Sequence, residues 1–413
     1  MRARPLLFFF ASSCALAACG TVGSIEGASG SSGTSTTEDG DTPPPEVGPG
    51  TDAAASTDGA TDLDGDVDAC VATGTPALDT SFAPQSIPLA QLRAAPAPGG
   101  GYAVIGRTSC GDSGFGVELR FFDASGSPSA SKALCLADGI ELVESLAPRP
   151  AGGWEVGTSV GSGVYNAVLR TLGPTGDILN TRTRNGHYHQ IGLPLGTGST
   201  TIWAGYRESP SPDGTAFLGI AGGAITELPN ERVVGAATRG TDLFALVLTL
   251  AAPGPSTVML RKYVVGATVS EDVSARSQPV TLAPGAATQS FEGHASILVE
   301  GSTITAAVPV ASNAIAIYRY VEGSGWSPKG SVGALPNPAS LMRSCDGSLL
   351  LAYVSPAGSH RLARFTEANS TPTSELVLST TASTRTLIRD SLGRILVFQT
   401  VSGGQGALIR VVP

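Results

Sequence analysis

Few residues in this chain have obvious chemistry. Gly157-Thr158-Ser159-Val160-Gly161 has the G-x-S-x-G spacing of a serine nucleophile elbow. Such an elbow needs a strand before it and a helix after it, so that the hydroxyl stands exposed on a sharp turn. Here Gly and Val lead into another apolar run without helical periodicity, so Ser159 is not expected to act as a nucleophile. The four histidines are His187, His189, His294 and His360. His187 and His189 flank Tyr188 and would project to one side of a strand. Two imidazoles can begin a metal site, but structural zinc takes four ligands and catalytic zinc usually three. No neighbouring Cys, Asp or Glu completes the pair, so neither a metal nor a cofactor is expected. Asp62-Leu63-Asp64-Gly65-Asp66-Val67-Asp68 alternates carboxylates as calcium loops do. Val67 occupies the sixth position, where such a loop needs Gly, and no Glu stands at the twelfth. The run reads as a solvated acidic linker.

The elements around these residues fall into three parts. Met1 to Ala18 begins with Arg2 and Arg4 and continues as an apolar run from Leu6, the pattern of a secretory signal. The run is shorter than the roughly 20 residues that span a bilayer. Residues 19–69 form the second part. From Gly20 on they are Gly, Ser, Thr, Ala, Pro and acids with almost no large apolar side chains, eleven carboxylates and no Lys or Arg. They cannot bury enough apolar surface to offset ordering entropy, and a flexible chain of this length spans roughly 40 Å. Residues 70–413 form the third part, the folded domain. The whole chain has 25 bases against 34 acids, a net charge of −9, which excludes a basic nucleic-acid binder. That acidity belongs to the tether, because 23 bases and 23 acids remain in residues 70–413.

The domain repeats one pattern. Short apolar runs appear at Gly101-Tyr102-Ala103-Val104-Ile105-Gly106, Gly153-Trp154-Glu155-Val156-Gly157 and Thr200-Thr201-Ile202-Trp203-Ala204-Gly205. Further copies start at Asp242, Thr303, Ser348 and Arg394. They lie about 41 to 61 residues apart, and each has a preceding partner run, a following one and a weaker polar fourth. Four short strands with Gly, Pro, Asn and Asp turns at this period make one blade of a propeller. The seventh copy ends after its third strand at Val412, while a spare strand stands before the first copy, at Gln85 to Leu89. Pairing the spare onto the last copy would close a ring and remove its open edges. The expected fold is therefore all-β, a seven-bladed β-propeller closed by strand 85–89. Six or eight blades, and two stacked β-sandwiches, remain the alternatives.

Three stretches carry family resemblances. Leu16-Ala17-Ala18-Cys19-Gly20 resembles the bacterial lipobox. The resemblance implies cleavage before Cys19, lipid on its thiol and, with Gly20 rather than Asp next, an outer-membrane location on either the periplasmic or the surface face. Leu78-Asp79-Thr80-Ser81-Phe82, Asp346-Gly347-Ser348-Leu349-Leu350 and Arg361-Leu362-Ala363-Arg364-Phe365 resemble the delta-sixty repeats of exported bacterial propeller-like proteins. Ala83 departs from that family's Gly, and the opening occurs once; the resemblance implies a fold and little chemistry. Glu322-Gly323-Ser324-Gly325-Trp326-Ser327 resembles a fragment of the Asp-box turn of sialidase-like propellers, with its Ser and Asp out of place.

Cys14 leaves with the signal peptide, and Cys70, Cys110, Cys135 and Cys345 remain for disulfides. The ring model puts Cys110 and Cys135 on one face and Cys70 and Cys345 on the other, so it favours the pairs Cys110–Cys135 and Cys70–Cys345. Free thiols or a single bridge are the alternative. The functional expectation is a lipid-anchored, monomeric binding or scaffold module that takes an envelope protein or a polysaccharide and no nucleic acid. The alternative is a hydrolase or lyase whose site lies in the central channel, for which Glu141, Glu144, His294 and Arg389 would have to converge.

Overall fold

The structure is a computed structural model. It describes residues 75–412 apart from 98–99, 111–113, 136–138, 162–163, 196–199, 208–214, 251–255, 282–295, 311–312, 322–324, 336–338, 381–382, 391–392 and 402–404. The signal peptide, Cys19, the tether, Cys70 and His294 lie outside the described residues.

The chain folds as a β-propeller, and no α-helix occurs among the described residues. The described strands form seven antiparallel units, each a meander of neighbouring strands. The first unit comprises Ala90–Pro96, Tyr102–Ser109, Gly114–Phe122 and Pro128–Leu134. The second comprises Gly139–Pro148, Trp154–Gly161, Tyr165–Leu172 and Ile178–Arg184, and the third Tyr188–Pro194, Thr201–Arg207, Thr215–Ile220 and Ile225–Pro229. The fourth is Glu231–Arg239, Asp242–Thr249, Thr257–Val265 and Val269–Asp272; Val280–Thr281 extends its outer edge after a short turn of 3-10 helix. The fifth is Ser296–Glu300, Thr303–Val310, Ala314–Val321 and Gly325–Gly333. The sixth is Ser340–Arg343, Leu349–Val354, His360–Phe365 and Ser374–Ser379. The seventh has three strands of its own, Ser383–Arg389, Ile395–Thr400 and Gly406–Val412. Gln85–Ile87 completes it, with Gln85 opposite Leu408 and Ile87 opposite Gly406, and Ala77–Leu78 pairs farther along the same strand.

Packing explains this arrangement. The first strand of each unit packs against the first strand of the next, and Ser383–Arg389 packs back on Ala90–Pro96. Each of the seven junctions holds one apolar cluster drawn from both neighbours. Second strands are covered on both faces, so Leu349–Val354 is buried at every position and its sequence runs continuously apolar. Fourth strands face water, and Pro128–Leu134 is exposed at all but its last residue.

The Asp79 opening fastens the closure. Ser81 donates to Asp79 Oδ1 from both its backbone N–H (2.9 Å) and its hydroxyl (2.6 Å), while Arg410 Nε donates to Asp79 Oδ2 at 2.6 Å. The same Asp-x-Ser turn recurs at Asp123/Ser125, Asp272/Ser274 and Asp346/Ser348.

Cys110 and Cys135 form a disulfide with a Cα separation of 5.8 Å. Cys345 is also disulfide-bonded. The Cys110–Cys135 bridge closes a loop of 25 residues. A loop of that size restricts the unfolded chain by about 3 kcal/mol. The double variant Cys110→Ser/Cys135→Ser is expected to lose about that much stability. An unchanged urea midpoint would show that the bridge adds nothing.

Candidate functional site

The G-x-S-x-G segment lies in Trp154–Gly161, the second strand of unit two, and the chain continues into another strand. Ser159 is fully buried and its Oγ accepts the backbone N–H of His189 at 3.0 Å. His189 is buried at the junction of units two and three. Its Nδ1 accepts the indole N–H of Trp203 at 3.0 Å, which leaves the ring proton on Nε2. Nε2–H then donates to Ser145 Oγ at 2.8 Å. A general base would need a lone pair directed at the serine. This contact has the opposite polarity, so it orders a neutral imidazole and does not activate Ser145. Burial pushes His189 down to about 3, so the ring stays neutral at ordinary pH.

The other sequence candidates separate. His187 Nδ1–H donates to the Asn185 carbonyl at 2.8 Å, and the ring packs edge-on against Phe217 at 5.3 Å. Both imidazoles are thus committed to protein partners, and no group of three or more metal-ligating side chains occurs among the described residues. Glu141 is buried where units one and two meet, accepting Arg170 Nη1 at 2.5 Å. Glu144 sits at a bulge in the first strand of unit two, and its carbonyl accepts Arg93 Nε at 3.1 Å. Arg389 is exposed at the end of the seventh unit's first strand. Glu141 is thus taken up by Arg170, while Arg389 stands exposed. Trp326 is the second residue of the outer strand of unit five and packs edge-on with Tyr320 at 5.6 Å.

Two surface features stand out. The first lies at the junction of units one and two, beside the Cys110–Cys135 bridge. There Gly114 and Phe115 pair parallel with Gly139 and Ile140, joining the two units into one sheet. Phe115 is 44% exposed, Ile140 37% and Val164 73%. Ile140 stands opposite Gly161, and Gly161 opposite Tyr165, so Phe115, Ile140, Gly161 and Tyr165 form one row, and Val164 precedes the end of it in sequence. The Arg107 guanidinium lies 4.1 Å over the Phe115 ring. The row continues as a stack, Tyr165 on Tyr188 at 4.7 Å and Tyr188 on Tyr206 at 5.2 Å, ending under Arg232 at 4.4 Å.

The second feature is a groove of about 450 Å³ between units five and six. Val332 and Gly333 form one wall; Tyr353, Pro356, Arg361, Pro372 and Glu375 form the other. Tyr353 O–H donates to Glu375 Oε1 at 2.7 Å, and Arg361 Nη1 donates to Oε2 at 2.6 Å. Neither feature shows in the sequence as a motif. Tyr353 and Arg361 are cross-strand partners, so their alignment depends on register.

No known protein family and no curated protein matches the sequence. Solved structures of similar fold include the C-terminal WD40 domain of Sif2, at 13% identity and a TM-score of 0.46, covering 79% of this chain and 97% of that one. The BP39L lectin from Burkholderia pseudomallei is 14% identical with a TM-score of 0.49, covering 79% and 96%. A sialidase from Trypanosoma rangeli is 9% identical with a TM-score of 0.44, covering 76% and 60%. At these identities the likeness concerns fold alone, and the propeller assignment rests on the closed circuit of units.

Proposed function

We propose that the protein is a lipid-anchored propeller of the bacterial envelope, held by Cys19 and its acidic tether, that docks a protein partner on the face joining units one and two. The observation that carries this reading is the exposed cross-strand pair Phe115 and Ile140, with exposed Val164 preceding Tyr165 at the end of their row. Three apolar side chains lie exposed together on a segment fixed by a disulfide and by the sheet that joins the units. Exposed apolar groups on a rigid frame bind with little ordering cost, because the surface is already in its bound shape. Aliphatic and aromatic tips favour a protein surface with its own apolar centre. The anchor and the envelope location are supported by the Arg2/Arg4 signal pattern and the Cys19 segment.

The test compares capture from an envelope extract by the full chain and by its Phe115→Ser/Val164→Ser variant. A partner held by the first and lost by the second, at equal Tm, is expected. The same proteins on both would overturn the reading.

A further inference from the structure

The groove between units five and six is independent of the Phe115 face and lies elsewhere on the ring. Its volume, about 450 Å³, falls within the roughly 300–1,000 Å³ of small-molecule sites. Its walls are set before any ligand arrives. A Cβ on Gly330 would overlap the Ser370 carbonyl oxygen, so the outer strand of unit five lies directly against the turn that carries Pro372. On the other side the Ser355–Ser359 turn is closed by Ser355 N–H to Ser359 O at 2.8 Å, and by the two hydroxyls at 2.7 Å. Pro356 and Pro372 fix their own backbone angles.

The polar groups are equally fixed. Glu375 uses one lone pair of each carboxylate oxygen, on Tyr353 and on Arg361, and retains the others as acceptors. Arg361 Nε donates to Ser359 Oγ at 3.2 Å, which orients the guanidinium. Arg361 and Glu375 remain about a third exposed, with side-chain exposures of 34% and 30%, so a ligand can reach both. Burial and the bond to Glu375 push the Tyr353 hydroxyl well above its ordinary value, which keeps it a donor to the carboxylate.

This arrangement selects by charge and by spacing. One guanidinium and one carboxylate neutralise each other, so the groove as a whole attracts neither an anion nor a cation. It does offer a donor and an acceptor side by side. Two adjacent hydroxyls fit that pair, one accepting from Arg361 while its neighbour donates to Glu375. Pro356, Ala357 and Pro372 supply the apolar surface that the C–H face of a sugar ring can cover. We infer that this groove binds a neutral pyranose through a vicinal pair of hydroxyls.

The experiment is calorimetric titration of the purified full chain with neutral monosaccharides, neutral oligosaccharides and a neutral envelope polysaccharide, with acidic sugars as comparison. The arms separate a free sugar from a polymer residue as the source of the pyranose. Gly333→Val supplies the steric test. Gly333 lines the groove, and a Cβ there meets only the Pro356 ring, Cγ at 3.6 Å and Cδ at 3.9 Å, both ordinary contacts. The added side chain therefore fills the groove without straining the strand. Binding of at least one neutral saccharide is expected. It should weaken at least tenfold in Gly333→Val and in Arg361→Met. A deoxy analogue lacking one hydroxyl of the pair should also bind at least tenfold more weakly. Phe115→Ser should leave the binding unchanged, which separates this site from the protein-docking face. No heat with any neutral sugar, binding of acidic sugars alone, or full affinity in Gly333→Val at unchanged Tm would each overturn the inference.

Discussion

Acidification from pH 7 to pH 4 is expected to cost the domain about 3 kcal/mol through His189 alone. Burial holds this imidazole at about 3, against 6.5 for the free side chain. The unfolded chain therefore takes up a proton as the pH falls through 6.5, while the folded chain stays neutral until about 3. The stabilisation is complete above 6.5 and is lost as the pH falls between those values. His187 is displaced in the same direction by burial and adds to the loss. Glu155 acts in the opposite sense, since burial raises its carboxyl and acid relieves that cost. Asp79 and Asp123, lowered first of all by the Ser81 and Ser125 hydroxyls, contribute only below the ordinary carboxylate range. Urea midpoints from pH 7 to pH 4 measure the slope, and His189→Gln isolates the histidine's share. An equal slope in that variant would place the acid sensitivity elsewhere. Domains are stable by only about 5–15 kcal/mol, so a loss of this size is a large fraction of the total.

The largest single-residue effect is expected at Gly157. A Cβ there would lie inside the His189 imidazole. Ala at this position must therefore displace the ring from Trp203 and Ser145, leaving buried polar groups without partners. Overpacking and lost hydrogen bonds together give about 3 kcal/mol or more. The damage depends on the ring, so Gly157→Ala/His189→Ala should be more stable than the sum of the single changes, by about 1–3 kcal/mol. Additive losses would mean that the glycine answers to its own backbone and not to the histidine.

The architecture was legible because burial on both faces leaves continuous apolar runs. The runs at Tyr102, Trp154, Thr201, Leu243, Ile304, Leu349 and Ile395 became the second strands of their units. The Leu78–Phe82 segment has a structural role as the turn that receives Arg410. Its Asp-x-Ser core repeats, a regularity that the more conspicuous Asp-Gly pair obscured. The chemistry was less legible for two reasons. First, whether His189 could serve as a base depends on which ring nitrogen faces Trp203, and composition is silent on that. Second, Tyr353, Arg361 and Glu375 meet only because two hairpins fold in one register. The environments of Glu141 and Arg389 were equally hidden, since Glu141 took a buried partner in Arg170 and Arg389 ended its strand in solvent.

The closing seam also imposes an order in time. Asp79 and Arg410 are 331 residues apart in sequence. A ribosome adding about 5–20 residues per second makes the first of them tens of seconds before the second. Throughout that interval the Gln85–Ile87 strand has no partner, and Leu89 and Leu92 have no Phe398 or Leu408 to cover them. The junction of the seventh and first units can only form last, and contacts of such long range form slowly. Until it does, the nascent protein presents an open strand edge. Its earliest hazard is therefore pairing with another unfinished copy of itself.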